Sequence, residues 1–546
     1  MGRSLTARLC LNPACVALLA LFLYVLSVGA QGRRATYTNP AMAGDFPDPS
    51  VIRVGQDYWA AATSSEWAPE FPLLHSRDLV NWEIVGSVFR KRPDWSVGSY
   101  WAPEISQDKG RFFIYYAARK KGGPLCVAVA TAARPQGPYT DHGPLVCQDV
   151  GSIDPFPVTD ERGRRYLLWK EDGNSVSKPT PIWAQPLSPD GTRLVGERRE
   201  LFHNDQAWEK HATLPYGNLV EGPAVVRHNG WFYIFYSGNF CCARECNYMM
   251  GVARSRKLLG PWEKNPDNPI LRGNDVWKCP GHGTVVEDQR GRDFLLYHAY
   301  KADDFVYVGR QALLDEIDWG ANGWATINGG RGPSARADLP FGSPERNAEY
   351  SFFDEFTTRV LKPGWQWPVG NEPVVRIQPT GGGWLLLAPT AEHATEHAGA
   401  VLAHTTTTGD YVATTVVERS SLRPGGYAGL SAYGDGENAL GVTVGENGGG
   451  VQLWQLEKND YKDSFVFTWP YRPRLVYLRM TVREGHLYKF AVSGDGRKWQ
   501  DVGKEMDGSY LPPWDRGVRV ALVAGGASNA TARFGFLRIE SSHRVR

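Results

Sequence analysis

Three acidic residues of this sequence stand in apolar, proline- or glycine-flanked settings. They are Asp48 in Gly44-Asp45-Phe46-Pro47-Asp48-Pro49-Ser50, Asp154 in Ser152-Ile153-Asp154-Pro155-Phe156, and Glu221 in Leu219-Val220-Glu221-Gly222-Pro223-Ala224. Two further segments share the pattern: Tyr100-Trp101-Ala102-Pro103-Glu104, and Pro280-Gly281-His282-Gly283-Thr284, which carries a histidine instead. A lone Asp-Pro is ordinarily a turn. Five such segments in one chain ask for more, because carboxylates gathered in one place cost stability through desolvation and mutual repulsion. Acidic side chains pushed apart in pKa by their surroundings are suited to acid–base chemistry, one donating a proton and another activating water.

Such residues can meet only if the elements carrying them converge. A glycine followed by an aromatic-rich, strand-like run recurs at Gly55 (GQDYWAAATS), Gly110 (GRFFIYYAAR), Gly163 (GRRYLLWKED), Gly230 (GWFYIFYSGN) and Gly291 (GRDFLLYHAY). Each glycine reads as a hairpin turn and each run as a strand. A second element follows: HSRDLVNWEIVG from His75, ATAARPQGPYTD from Ala130, ARSRKLLGPWEKN from Ala253 and, in weaker form, AQPLSPDGTRLVG from Ala184. Five copies of about four strands describe an all-β, five-bladed β-propeller. A sandwich with coincidental repeats is the alternative, but sandwiches rarely repeat at such long, near-equal spacing. The acidic segments lie just upstream of the glycines, on the expected innermost strands, which converge at one end of the channel.

Composition narrows the class. The chain has 546 residues with 60 Lys+Arg against 58 Asp+Glu, a balance that argues against a nucleic-acid partner. Hydrophobic residues at 42% suffice for real cores. Twenty Trp, 24 Tyr and 22 Phe beside 60 Gly and 37 Pro favour strands over helices, and flat rings also suit sugar stacking. Arg3 and Arg8 precede an apolar run from Val16 to Leu26, and Val28-Gly29-Ala30 supplies small residues for cleavage after Ala30. Residues 1–30 therefore read as a signal peptide and the protein as secreted or periplasmic, with no membrane contact after cleavage; a retained N-terminal anchor is the alternative. Cys126, Cys147, Cys241, Cys242, Cys246 and Cys279 remain, an even set that reads as disulfides rather than a zinc site, since paired C-x-x-C spacing is missing. Cys126 with Cys147 is a natural pair; the other connectivities stay open.

The ordered set NPAMAGDFPDPS, SYWAPE, SIDPF, VEGPAVV and PGHGTVV, from about Asn39 to Ala337, resembles glycoside hydrolase family 43. The resemblance implies a five-bladed propeller and an inverting glycosidase. It matches Asp48 to the general base, Glu221 to the general acid, and Asp154 to the carboxylate that orients the acid and raises its pKa. His282 matches a histidine that holds a calcium ion, through water or directly, in the central channel, against the reading of a hydrogen-bonded core histidine. No organic cofactor is implied. Arg310 in VGRQALLDEIDW matches an arginine reaching a sugar hydroxyl and the acidic centre, a salt-bridged strand residue being the competing account. Trp101 and Phe46 are candidate walls of the sugar pocket, with packing between blades as their alternative.

Beyond residues 31–340 the composition shifts. Asp338-Leu339-Pro340-Phe341-Gly342-Ser343-Pro344 reads as a linker, and residues 341–546 as a β-sandwich of short alternating strands separated by Gly-Asp and Gly-Asn turns. FFDEF, YAGLSAY and FAVSGDGRKWQDVG resemble the concanavalin-like domain attached to many family 43 β-xylosidases. That domain is either a carbohydrate-binding module or a partner lending a loop to the pocket; the second is favoured, because no row of exposed aromatics is legible. The expected substrate is a plant cell-wall polysaccharide or its oligosaccharides, from which arabinofuranosyl or xylosyl units are released. GHGTVVED and YHAY lean towards arabinan, the appended sandwich towards xylosides. A propeller lectin would have lost one carboxylate, and none of the three is lost; a transferase or phosphorylase would need basic residues for phosphate, and the motif segments show none beyond Arg310.

Overall fold

All five repeated glycines occupy hairpin turns with φ between 66° and 80°, a left-handed conformation that glycine adopts without a Cβ clash. The computed structural model describes residues 35–341, 351–445, 450–469, 472–526 and 531–541. The apolar N-terminal run and Ala30 lie outside these residues, as does the end of the expected linker. Each glycine turn joins the innermost strand of a blade to the second strand, and five antiparallel four-stranded sheets follow one another in chain order. The innermost strands are Ser50–Val54, Ser96–Asp108, Ser152–Thr159, Val220–His228 and Trp277–Glu287. They neighbour one another in a closed ring, the fifth returning to the first. The ends of the propeller close that ring: Thr36–Thr38 pairs with Arg336–Asp338, and Met42 bridges to Ala312. The structure is a five-bladed β-propeller, as the repeats imply.

The innermost strands share a local device. The residue before a proline takes a positive φ in every blade: Asp48 (48°), Ala102 (45°), Asp154 (57°), Gly222 (57°) and Cys279 (53°). In the last four blades a register irregularity falls at the same place. A bulge adds a residue and re-aims side chains, so the strand turns its neighbouring side chains into the channel mouth. This corrects one reading of the sequence. The equivalent position in blade five is Cys279 rather than His282, and the feature repeated in all five blades is a positive φ before proline, not a polar side chain.

Phe46 also departs from expectation. It is buried in an apolar cluster with Tyr37, Met42, Val51 and Leu296, between blades one and five, and does not line the cavity below. Its apolar ring seals the ring closure instead of forming a wall of the pocket.

The C-terminal domain is an antiparallel sandwich. One sheet runs Val374–Gln378, Trp384–Ala388, Ala532–Ser541, Tyr411–Glu418, Leu475–Arg483, Leu487–Ser493, Gln500–Asp507, with Ser351–Asp354 also paired to Ala532–Ser541. The other runs Ala400–Thr405, Arg519–Gly525, Tyr427–Tyr433, Ala439–Gly445, Gly450–Glu457, Asp460–Thr468. Alternation fills the core between them: along Leu475–Arg483, Val476, Leu478, Met480 and Val482 point inward.

The two domains interlock. Trp367–Pro368, just after the first sandwich strand, pairs with Trp67–Ala68 of the propeller. Trp67 is 1% exposed, meets Tyr433 edge-on at 5.7 Å, and joins a cluster with Val401, Trp454 and Val523. The six cysteines form Cys126–Cys147, Cys241–Cys242 and Cys246–Cys279, which bears out the disulfide reading and the first pairing. Trp67→Ala should destabilise the protein by about 3–5 kcal/mol in denaturant melts, through lost burial and the cavity left between domains. The exposed Val360→Ala should stay within about 0.5 kcal/mol. Equal melts for the two variants would refute the interlock.

Candidate active site

Asp48, Asp154 and Glu221 line one cavity of about 540 Å³ at the channel mouth, with Trp101, His282 and Arg310. The sequence-derived carboxylates, one tryptophan, the histidine and the arginine are therefore brought together; Phe46 is not.

Asp48 is buried and held from several sides. Thr63 Oγ1 donates to its Oδ2 at 2.6 Å and in turn accepts the Ala102 N–H at 2.7 Å. Arg310 Nη1 lies 3.0 Å from Oδ1, and His282 Nδ1 lies 3.5 Å from the same oxygen. The Asp48 backbone N–H donates to His298 Nδ1 at 3.1 Å. Burial pushes an aspartate up, but the Arg310 guanidinium and then His282 outweigh it and hold Asp48 well below the ordinary range near 3.8. Asp48 is thus a buried carboxylate kept ionised. Burial and Arg310 together push His298 down to about 4, so it remains neutral.

Asp154 is the opposite case. Burial pushes it up; His282 opposes this, the nearby Glu221 charge adds to it, and the outcome is about 7. Its Oδ2 accepts the Gly222 N–H at 2.9 Å, which ties it to the segment bearing Glu221. Glu221 receives two donors, Lys170 Nζ on Oε2 and Tyr248 O–H on Oε1, each at 2.7 Å. The carboxyl whose hold on a proton is raised is that of Asp154, while both Glu221 oxygens accept from donors, one of them a cation.

Several of these residues were not singled out from sequence. Lys170 is fully buried; desolvation works against its charge, yet Asp172 at 2.8 Å and Glu221 keep it protonated. Its only sequence signal is a lysine inside the apolar run YLLWKED. With its charge matched by two carboxylates it offers no phosphate site. Asp45, in the same motif as Asp48, accepts the Arg310 N–H on Oδ1 and the Gly517 N–H on Oδ2, and pairs with buried Arg519 at 3.0 Å. The sandwich reaches the cavity directly: Trp514 and Asp515 line it, Trp514 meets Trp101 edge-on at 5.7 Å, and the Asp515 carbonyl accepts from Arg310 Nη2 at 3.1 Å. The sandwich thus does lend a loop to the pocket.

The glycosyl hydrolases family 43 matches residues 37–325, more than half the chain, and the β-xylosidase C-terminal concanavalin A-like domain matches residues 353–540. The chain belongs to glycosyl hydrolase family 43. It is 28% identical over 511 residues to a xylosidase/arabinosidase 43B of Humicola insolens, covering 87% of this chain and 90% of that protein. It is 26% identical over 316 residues to an extracellular exo-α-(1→5)-L-arabinofuranosidase of Cellvibrio japonicus, covering 52% and 86%. The crystal structure of the family 43 BlXynB protein from Bacillus licheniformis superposes with a TM-score of 0.79 at 25% identity, covering 93% of this chain and all of that one. This family 43 chain is a glycosidase.

The residues around His282 do not form a direct cage for the expected calcium. A hard cation wants a cage of oxygens, yet the oxygens nearest the imidazole belong to Asp48, matched by Arg310, and to Asp154, 3.9 Å away and raised towards its neutral form. No group of three or more His, Cys, Asp or Glu side chains among the described residues could hold a metal.

Removing Arg310 tests the electrostatics. In the wild type, Asp48 titrates below its unfolded value, so the pair stabilises the fold at neutral pH and the contribution fades as pH falls below about 4. In Arg310→Met a buried charge loses its main partner, at a cost of about 3–5 kcal/mol. Burial then pushes Asp48 up, and protonation relieves the penalty. Urea melts should show a deficit at pH 7 that shrinks at pH 4.5; a pH-independent deficit would disprove the account.

Proposed function

We propose that this family 43 glycosidase is a secreted, inverting enzyme that releases arabinofuranosyl or xylosyl units from plant cell-wall polysaccharides or their oligosaccharides. One observation carries the mechanism: in one cavity a buried carboxylate is held ionised while a second is raised to about 7 beside a third. A propeller that only bound sugar would have no use for such opposed carboxyl groups, which cost stability. The names of the relatives, xylosidase/arabinosidase and exo-α-(1→5)-L-arabinofuranosidase, support the two sugars. The apolar leader and three disulfides support export.

In this reading Asp48 is the general base. Its charge, secured by Arg310, removes a proton from water as the water attacks the anomeric carbon. Glu221 is the general acid, and Asp154 shares and stores the proton that Glu221 delivers to the leaving oxygen. Tyr248 and Lys170 hold the Glu221 carboxyl in place. Arg310 and Trp101 position the sugar. Water attacking from the face opposite the leaving group inverts the anomeric centre, which requires the base and acid to stand about 6.5–9.5 Å apart in the complex.

Asp48→Asn and Glu221→Gln should each lower kcat/KM on the preferred glycoside by about 10²–10⁴-fold. Wild-type activity in either would sink the assignment. The wild-type kcat/KM should fall as pH rises through about 7, because the Asp154–Glu221 pair then loses its proton. Asp154→Asn should move that alkaline limb and lower the rate; a limb left in place would exclude Asp154 from proton storage. A panel of chromogenic arabinofuranosides and xylosides, with product anomers followed by NMR, reads both the sugar and the stereochemistry.

A further inference from the structure

The Cys241–Cys242 disulfide joins chain neighbours. A cross-link stabilises a fold by closing a loop in the unfolded chain, and a bond between adjacent residues closes none. The loop that carries it is already secured. Cys246–Cys279 ties the loop to the innermost strand of blade five, Asn239 Nδ2 donates to the Trp208 and Lys210 carbonyls, and the Asn247 N–H donates to the Phe240 carbonyl. Stability therefore does not account for the vicinal pair.

Its position does. Both cysteines line the cavity that holds Asp48, Asp154 and Glu221, Cys241 half-buried and Cys242 buried. Phe240 and Tyr216 continue the same wall, their rings edge-to-face at 5.2 Å, and Tyr216 is 44% exposed. A vicinal disulfide makes a small, rigid, polarisable plate without strong hydrogen-bond donors. Sulfur of this kind packs well against flat or C–H-rich surfaces, and one face of a sugar ring is such a surface. The loop ends at Tyr248, whose hydroxyl donates to Glu221. The plate is thus built on the blade of the proposed acid, two blades around the ring from Asp48 on blade one. An inverting enzyme puts its acid beside the leaving oxygen and its base across the ring, so a wall next to Glu221 faces the leaving group.

We propose that the Cys241–Cys242 disulfide, with Phe240 and Tyr216, is the surface on which the first sugar of the leaving group rests, and so selects oligosaccharide over short leaving groups. This rests on the assignment of Glu221 as acid. The contact acts on substrate binding and leaves the proton chemistry untouched.

The test compares substrates that fill or omit this surface: xylotriose against β-xylosyl fluoride, and arabinotriose against α-arabinofuranosyl fluoride, using the full-length enzyme. Cys241→Ser with Cys242→Ser should raise KM for the oligosaccharide about tenfold while kcat/KM for the fluoride stays within about twofold. Tyr216→Ala, at an exposed position, should show the same split with a smaller rise, and it decides the matter if the double variant does not fold. Equal losses on both substrates would make the disulfide purely structural, and unchanged KM on the oligosaccharide would remove it from binding; either overturns the proposal. A wild-type enzyme that turns over neither pair would instead overturn the proposed arabinofuranosyl or xylosyl specificity.

Discussion

A carboxylate buried at the mouth of the propeller must be given a reason to stay charged, and the centre is organised around that requirement. Left alone, Asp48 would take up a proton under its own desolvation. Arg310 prevents this, and Arg310 must itself be held in a buried place. One Nη group reaches Asp48 and the other reaches the Asp515 carbonyl of the sandwich. Asp45 then receives the Arg310 backbone N–H and pairs with Arg519, also of the sandwich. The charge of the base is thus secured by a lattice that crosses the domain boundary, which gives the second domain a part in the electrostatics and not only in the shape of the pocket.

Proton placement follows the same logic with the opposite sign. Asp154 is buried without an arginine of its own and sits near the charge of Glu221, so it rises. Glu221 sits between Lys170 and Tyr248. Two carboxylates of similar sequence setting acquire different roles because one has a guanidinium at 3.0 Å and the other a neighbouring carboxylate. The positive-φ residue before proline makes this possible on every blade, with a bulge beside it in the last four. This arrangement places strained, left-handed residues where the channel opens, at a cost of about 1–3 kcal/mol each for the non-glycine residues. The surrounding sheets over-determine that geometry.

Much of this was legible along the chain. The glycine turns are local, each needing only a φ that other residues avoid, so they repeat visibly and reveal five blades. Asp48, Asp154 and Glu221 are legible for a related reason: an acid before proline or glycine on an otherwise apolar strand contradicts local preference, and such contradictions mark function. Phe46 misled because its neighbourhood in sequence is the base, while its ring is claimed by the core between blades one and five. His282 misled because two bulges lie close together in blade five and shift the register.

What the amino-acid order determined by itself, then, was the class of fold, the number of blades, the three acids and the oxidised state of six cysteines. These follow from interactions between near neighbours or from residue type alone. Only the folded molecule decided that Arg310 holds Asp48 ionised while burial raises Asp154, that Lys170 is spoken for by carboxylates, that Cys241 pairs with Cys242, and that Trp514 and Asp515 reach the pocket. Each depends on distance through space to groups remote in the chain, Arg310 lying 262 residues from Asp48. Coulomb energy and desolvation are set by that distance and by burial, and neither is written in sequence order.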